Sequence, residues 1–338
     1  MDSEPPFQEA YKSLLKEQEN SIAVKLIDDE EVVEECEVPV IDISRLNGRN
    51  ETEKEECKKE ITRASVEWGF FQTVNHGIPQ DVLQRMQREQ VKLFRQPFEK
   101  KTGEGDKLLG LSVAGNSYRW GTPTATCLKQ LSWTEAFHIP ITDVFTSSAQ
   151  PNRLSLTIKE FAATVSSLAH IIAEILAENL GLKSAFFTEN CLPNTCYLRM
   201  NRYPPCPLPC KVFGLMPHTD SDFLTILYQD QVGGLQLVKD GRWVTVKPNP
   251  EALIINIGDL FQAWSNDVYK SVKHRVVTNG RVERFSVAYF FCPSYDTIIQ
   301  SYREPRVYKK FSFREYREQV QVDVRTTGNK VGLPRFLL

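Results

Sequence analysis

Histidine is scarce in this chain, with five in 338 residues: His76, His138, His170, His218 and His274. Only His218 is followed two residues later by a carboxylate, in Pro217-His-Thr-Asp220. In a strand or at a strand end, that i, i+2 spacing points both side chains to one face, so two kinds of metal ligand are aimed at one point. A third ligand has to come from a distant strand, and His274, in Lys273-His-Arg-Val-Val277, is placed on one. Two imidazoles and a carboxylate on one side of a metal leave the opposite positions open, the facial triad of non-haem Fe(II). A His-x-Asp pair alone is also what a surface hydrogen bond would use, so its company decides the reading.

That company is Arg284-Phe-Ser286, ten residues beyond His274 on the next strand-like run. Arg and Ser there share a strand face and suit a carboxylate, gripped by the guanidinium fork and a hydroxyl. Arg-x-Ser also occurs at Arg63-Ala-Ser65 and Arg153-Leu-Ser155, so position carries the weight. Only the Arg284 pair follows the third ligand candidate, where it could hold the far carboxylate of a keto acid chelated to iron.

The elements that must position these residues change character along the chain. Residues 1–36 are polar and acid-rich around a short helical stretch and read as a loosely held arm. Residues 37–194 read as helix-rich: a strand over Val38–Ile43, a charged helix near 51–67, a strand Phe70–Asn75 and a helix from Pro79 to about Gln96. The longest helix spans about Leu154–Leu180, with an apolar stripe through Ile158, Phe161, Val165, Leu168, Ile172 and Ile175, and Gly181 as its C-cap. Over 195–300, seven short strand-like runs follow one another, with an Asp-Gly hairpin signal in Lys239-Asp-Gly-Arg242. Helical patterning returns near Ser312–Gln319 within the final segment, 301–338. The fold class expected is α+β, a β-sandwich or jelly roll braced by helices and acting as one integrated catalytic unit. Lys101–Asn116, rich in glycine and polar residues, reads as a mobile lid or a disordered loop.

Composition narrows the function classes. Lys and Arg number 41 against 43 Asp and Glu, for a net charge of −2, and no basic run is long enough for a nucleic-acid footprint. Gly103-Glu-Gly105 fails the dinucleotide fingerprint, and neither a Walker sequence nor a Gly-x-Ser-x-Gly elbow occurs. With no long apolar run and no signal-peptide pattern at the start, the expectation is a cytoplasmic chain without membrane or nucleic-acid partners, monomeric by default. The eight cysteines are expected to stay reduced, and Cys206 and Cys210 have no second Cys/His pair at zinc-finger spacing. His76 and His170 are read as structural, and His138 as a packing residue that would line the pocket only if its strand faces that way.

Taken together, Trp68-Gly-Phe-Phe, Asn75-His-Gly-Ile78, Asn201-Arg-Tyr-Pro-Pro-Cys206, His218-Thr-Asp220, Gly233-Gly-Leu-Gln236, Asn256-Ile-Gly-Asp259 and Arg284-Phe-Ser286 resemble the plant Fe(II)/2-oxoglutarate-dependent dioxygenases. Within them, Ser117-Tyr-Arg-Trp-Gly-Thr-Pro123, Leu131–His138 and His218–Tyr228 are similar to the gibberellin 2-oxidases, in particular the class acting on twenty-carbon gibberellins. The resemblance implies a double-stranded β-helix core. It makes His218, Asp220 and His274 iron ligands and puts Arg284, Ser286, Tyr203 and Asn201 around 2-oxoglutarate, with ascorbate as reductant. The implied reaction is 2β-hydroxylation of a gibberellin, preferentially a twenty-carbon precursor, with release of succinate and CO2. For the substrate, segment 115–138 offers Tyr118, Arg119, Trp120, Trp133 and Phe137, with Arg119 the cation for a carboxylate. Oxidation at another gibberellin carbon, a flavonoid substrate, or a metal-binding jelly roll that recognises a small acid without turnover remain alternatives.

Overall fold

Short runs of β-branched and aromatic residues separated by turn signals pair into two sheets. In the computed structural model, which describes residues 3–16, 33–113, 115, 117–182, 185–191, 195–209, 211–301 and 303–338, the strands are β1 (Glu35–Cys36), β2 (Val40–Asp42), β3 (Phe70–Val74), β4 (Tyr118–Trp120), β5 (Glu135–Pro140), β6 (Tyr197–Tyr203), β7 (Phe213–His218), β8 (Leu224–Gln229), β9 (Leu235–Lys239), β10 (Arg242–Val246), β11 (Leu253–Ile257), β12 (His274–Val277) and β13 (Arg284–Phe291), with a small pair β14 (Ile298–Ile299) and β15 (Phe311–Ser312). The larger sheet has the order β2-β3-β11-β8-β13-β6-β5-β4, and the smaller β1-β10-β9-β12-β7. All seven expected strands form, and β7 and the two-residue β14 are added to them in the same region. Asp240 and Gly241 both have positive φ, at 49° and 78°, and close the β9–β10 hairpin as the Asp-Gly pair requires.

The sheets face each other across Phe70, Leu235, Leu237, Val246, Ile254 and Val276. The opposite face of the larger sheet is covered by the long helix Arg153–Asn179, buried along its length from Leu154 to Ala177. By length and composition that helix could cross a bilayer, but here it is the brace of a jelly roll, as expected. Helices Glu51–Glu67 and Gln80–Phe94 form where the apolar spacing places them. The chain before Thr195 is woven in rather than packed on, since β2 to β5 are strands of the larger sheet.

Two expectations need correction. Lys101–Asn116 is neither a lid nor a disordered loop over its described part: it completes helix Phe98–Gly103, forms helix Gly105–Leu109 and only then continues as a loop, with Lys101, Leu109, Leu111 and Val113 buried. Gly110, at φ +65°, caps the second helix; Ala114 and Asn116 lie outside the described residues. The N-terminal arm is likewise held tightly where it is described. Phe7 and Tyr11 are buried, Phe7 stacks on Trp133 at 4.4 Å, and the Tyr11 hydroxyl accepts from the Thr122 amide at 2.8 Å. Averaging over an acid-rich stretch hid two aromatic anchors; residues 1–2 and 17–32 of that arm lie outside the described part.

A buried ionic cluster explains why Lys101 is drawn inside. Its ammonium meets Glu135 and donates to the Phe94 and Ser3 carbonyls at 2.9 and 2.7 Å, while Glu135 also accepts from Tyr118 and from Arg202 at 2.7 Å. Arg202 reaches Glu283 at 2.7 Å and, in the arm, Glu4. Removing one partner of such a cluster leaves a buried charge unpaired. Glu135→Ala should therefore lower the unfolding free energy by about 3–5 kcal/mol in urea denaturation, and a loss under about 1 kcal/mol would show the cluster is readily rehydrated.

Candidate metal centre and its cavity

β12 runs antiparallel to β7, and their register sets His274 directly opposite His218. The rings lie 4.3 Å apart between centroids. Asp220, just past the end of β7, turns back so that its Oδ1 is 3.5 Å from His218 Nε2 and 3.7 Å from His274 Nε2. The three ligand atoms fall within 4.8 Å of one another, the one such group of His, Cys, Asp and Glu side chains among the described residues. Each His Nδ1 lies against a carbonyl, Met216 O at 2.7 Å and Val272 O at 3.0 Å. A carbonyl only accepts, so Nδ1 carries the proton and Nε2 presents its lone pair to the common point. Burial, then the neighbouring His218, pushes His274 down to about 4, which keeps it in the neutral, metal-binding form.

The carboxylate is oriented from the other sheet. Asp220 Oδ2 accepts from Thr225 Oγ1 on β8 at 2.6 Å and from Asn256 Nδ2 on β11 at 2.5 Å. Burial works against its ionisation, but His274, His218 and Thr225 outweigh it and hold Asp220 below the usual carboxylate range. The sequence reading assigned no role to Thr225 or Asn256. Asn256 had a usable signal, being the one polar side chain in the strand Leu253-Ile-Ile-Asn-Ile257, because a buried amide needs a partner.

The trio opens into a cavity of about 300 Å3 between the sheets, lined also by Asn201, Tyr203, Arg284 and Ser286. Arg284 and Ser286 on β13 pair with Tyr203 and Asn201 on β6, so all four expected 2-oxoglutarate residues share one face. Arg284 is buried over the Tyr203 ring and donates from Nη2 to Gln229 Oε1 at 2.7 Å. Its Nε and Nη1 have no acceptor among the described residues. Two orphaned N–H groups on a buried guanidinium call for an anion, and beside a two-histidine, one-carboxylate trio that fits a chelating keto acid. The donor set thus fits both Fe(II) and 2-oxoglutarate.

The substrate candidates divide by strand parity. Arg119 pairs with Ala136, which pairs with Asn201, which pairs with Ser286; directly paired residues point to the same face, so Arg119 faces the cavity side. Tyr118 and Phe137 pair with each other, and Phe137 pairs with Met200, one residue out of phase. They point into the core, Trp120 with them, and Trp133 joins the Phe7 cluster. Tyr118, Trp120, Trp133 and Phe137 therefore do not line the cavity. A larger hollow of about 840 Å3 beside Glu4–Glu9 includes Trp133 but none of the trio. His138 stands on the cavity side, its ring packed 4.2 Å from that of Tyr197. His76 accepts from the Ile78 amide at 3.2 Å and His170 packs edge-on against Phe291, both structural as expected. Seven cysteines are described and all are free; Cys210, the second of the pair considered for zinc, lies outside the described residues.

A jelly roll carrying this trio, with a buried arginine on the facing strand, defines a non-haem iron oxygenase scaffold. The sequence pattern of the 2OG-Fe(II) oxygenase superfamily matches residues 194–293, and that of the non-haem dioxygenase in morphine synthesis N-terminal region matches 38–154. Gibberellin 2-beta-dioxygenase 8 of Arabidopsis thaliana is 59% identical over 99% of this chain and 98% of its own length. Gibberellin 2-beta-dioxygenase 6 of Oryza sativa subsp. japonica is 47% identical over 98% and 96%. The crystal structure of JOX2 in complex with 2OG, Fe and JA superposes with a TM-score of 0.73 at 30% identity, covering 94% of this chain and 97% of that one. The chain belongs to the 2OG-Fe(II) oxygenase superfamily, and is accordingly an oxidoreductase that uses Fe(II) and 2-oxoglutarate.

Thr225→Val and Asn256→Ala each remove one anchor of Asp220 without touching a ligand atom. Each should weaken divalent-metal binding by about 10- to 100-fold in anaerobic Fe(II) titrations, with circular dichroism unchanged. Wild-type affinity in both would mean that Asp220 keeps its orientation unaided.

Proposed function

We propose that this enzyme inactivates gibberellins by 2β-hydroxylation, with twenty-carbon precursors preferred. The observation that carries the reading is near-full-length identity to relatives named gibberellin 2-beta-dioxygenases, on a chain whose trio and buried arginine are in place. Bound Fe(II), with 2-oxoglutarate and O2, supplies an oxidant for an unactivated C–H, one oxygen atom entering the product hydroxyl and the other entering succinate as CO2 leaves. His218, Asp220 and His274 hold the metal, with their free lone pairs converging from one side. Arg284 and Ser286 grip the distal carboxylate, Tyr203 flanks the guanidinium, and Asn201 donates toward Ser286 Oγ at 3.4 Å. Leu227, Ala288 and Phe290 from the sheet, with Val320 and Val324 from the C-terminal helix Phe313–Thr327, give the cavity an apolar wall that excludes water from the target carbon. No side-chain general base is needed for hydrogen abstraction and hydroxyl transfer. Ascorbate as reductant, a cytoplasmic location and a monomeric state complete the proposal.

Incubation with Fe(II), ascorbate, 2-oxoglutarate and a gibberellin panel, read by mass spectrometry, should give one 2β-hydroxyl per succinate formed. Products oxidised at another carbon would overturn the regiochemistry, and faster turnover of nineteen-carbon forms would overturn the preference. Replacing Arg284 with Met should raise the KM for 2-oxoglutarate by about 10- to 100-fold, the worth of a charge-assisted pair, while the KM for gibberellin stays within about twofold. Lys at that position should recover only part, since it lacks the fork.

A further inference from the structure

β6 presents Tyr197, Arg199, Asn201 and Tyr203 to the site, and Arg202 to the opposite face. The two arginines are treated differently. Arg202 is met by the carboxylates of Glu4, Glu135 and Glu283. Arg199 donates from Nε to Asn201 Oδ1 at 2.9 Å and, among the described residues, has no carboxylate partner. It borders two spaces: the cavity of the trio and a cleft of about 280 Å3 that it shares with Arg119, Ala136 and His138. Arg119 donates to its neighbour's carbonyl, Tyr118 O, at 2.9 Å and likewise has no carboxylate partner among the described residues.

The cleft continues the site along the same sheet face. The row Arg119–Ala136–Asn201–Ser286 runs from the edge strand β4, and the adjoining row His138–Arg199–Ala288 from β5, to the strand carrying the 2-oxoglutarate residues. His138, exposed as a residue, adds no positive charge there, because burial of its ring and then the charges of Arg199, Arg317 and Arg119 push it down to about 4. Across the cavity the C-terminal helix supplies Val320 and Val324, Val324 being 43% exposed. The surface offered to a substrate is thus an apolar wall facing two cations at adjoining positions on the sheet, with Arg317 of the C-terminal helix, held against Tyr295 and Phe313, a third positive charge nearby.

We propose that Arg199 and Arg119 form a two-cation subsite that holds the two free carboxylates of a diterpenoid dicarboxylic acid, and that this pairing makes the enzyme favour twenty-carbon gibberellins. The inference rests on the gibberellin reading above and adds the physical cause of its selectivity. A twenty-carbon precursor carries two free carboxylates, whereas the lactone of a nineteen-carbon hormone has consumed one. Guanidinium is suited to this task, since it stays charged and grips a carboxylate with paired donors. Arg199, which also borders the trio's cavity, takes the carboxylate nearer the iron, and Arg119, on the edge strand, takes the farther one.

The test is binding and turnover of a twenty-carbon dicarboxylic gibberellin, its two monomethyl esters and a nineteen-carbon lactone by the full chain and by Arg199→Met, Arg119→Met and the double variant. Each single variant should weaken calorimetric binding of the dicarboxylate, and raise its KM, by about 10- to 100-fold. Each ester should respond to only one of the two substitutions, and Arg199→Lys should retain part of the affinity. Esters that respond equally to both, or dicarboxylate binding that is unchanged in both, would overturn the subsite. A parallel rise in the KM for 2-oxoglutarate would also overturn it, by showing that Arg199 merely positions Asn201. Tight dicarboxylate binding lost in the variants, with no 2β product from the wild type, would leave the subsite standing and remove the hydroxylase reading instead.

Discussion

The two sheets of this protein meet chemically at one carboxylate. Asp220 turns Oδ1 toward His218 and His274, both on the smaller sheet, and gives Oδ2 to Thr225 and Asn256 on the larger. The separation of β7 and β12 from β8 and β11 therefore fixes the third ligand relative to the first two. A slip of one residue in the β7–β12 pairing would put His218 and His274 on opposite faces and leave Asp220 with nothing to complete. The apolar layer of Leu235, Leu237, Val276, Phe70 and Ile254 between the sheets is what makes such a slip costly, so the core specifies the metal geometry as well as the fold.

The larger sheet carries opposite electrostatic designs on its two faces. On the helix side, charge is buried and matched, Lys101, Glu135 and Arg202 being joined by Glu4 and Glu283. On the site side, Arg284 keeps two buried N–H groups without an acceptor, and Arg199 and Arg119 lie beyond it along the same rows. Unmatched donors of this kind cost stability in a buried site unless a ligand answers them. The matched face holds the sheet rigid, and the N-terminal segment contributes through Glu4 and Phe7, while the unmatched face is left to recognition.

The metal trio was legible in the sequence because its chemistry is local. His218 and Asp220 share a face through i, i+2 spacing alone, and His274 and Arg284 needed only placement on successive strands. The substrate wall was much less legible, since it depends on parity that only pairing reveals. Tyr118, Arg119 and Trp120 are consecutive, yet only Arg119 lies on the sheet face that carries the site, where it borders the adjoining cleft rather than the trio's cavity. Val320 and Val324 were passed over because three β-branched residues between 320 and 324 weaken a helical reading. The Ser312–Glu315 capping box and the C-terminal Gly328 at φ +73° nevertheless carry that helix to Thr327. Strand β7 was hidden by Gly214 and Pro217 in Phe213–His218, both poor strand formers. Lys101 looked like lid material because a buried lysine is legible only once Glu135 is seen beside it.

That unread helix is tied to the metal centre by a second carboxylate. Asp259 accepts from Thr219, the residue between His218 and Asp220, at 3.0 Å and from Ser271 at 2.6 Å. It also accepts from Tyr316 on the C-terminal helix and pairs at 2.7 Å with Lys330, whose ammonium donates onward to the Thr219 carbonyl at 2.8 Å. The helix bearing Val320 and Val324 is thus fixed to the segment between His218 and Asp220. Hydrogen abstraction depends on holding one C–H beside the metal to within a fraction of an ångström. A substrate wall carried by a remote, independently moving element could not sustain such regiochemistry. Through Asp259, the wall residues Val320 and Val324 and the His218–Asp220 segment share one frame, so the placement of a substrate and the geometry of the trio are set together.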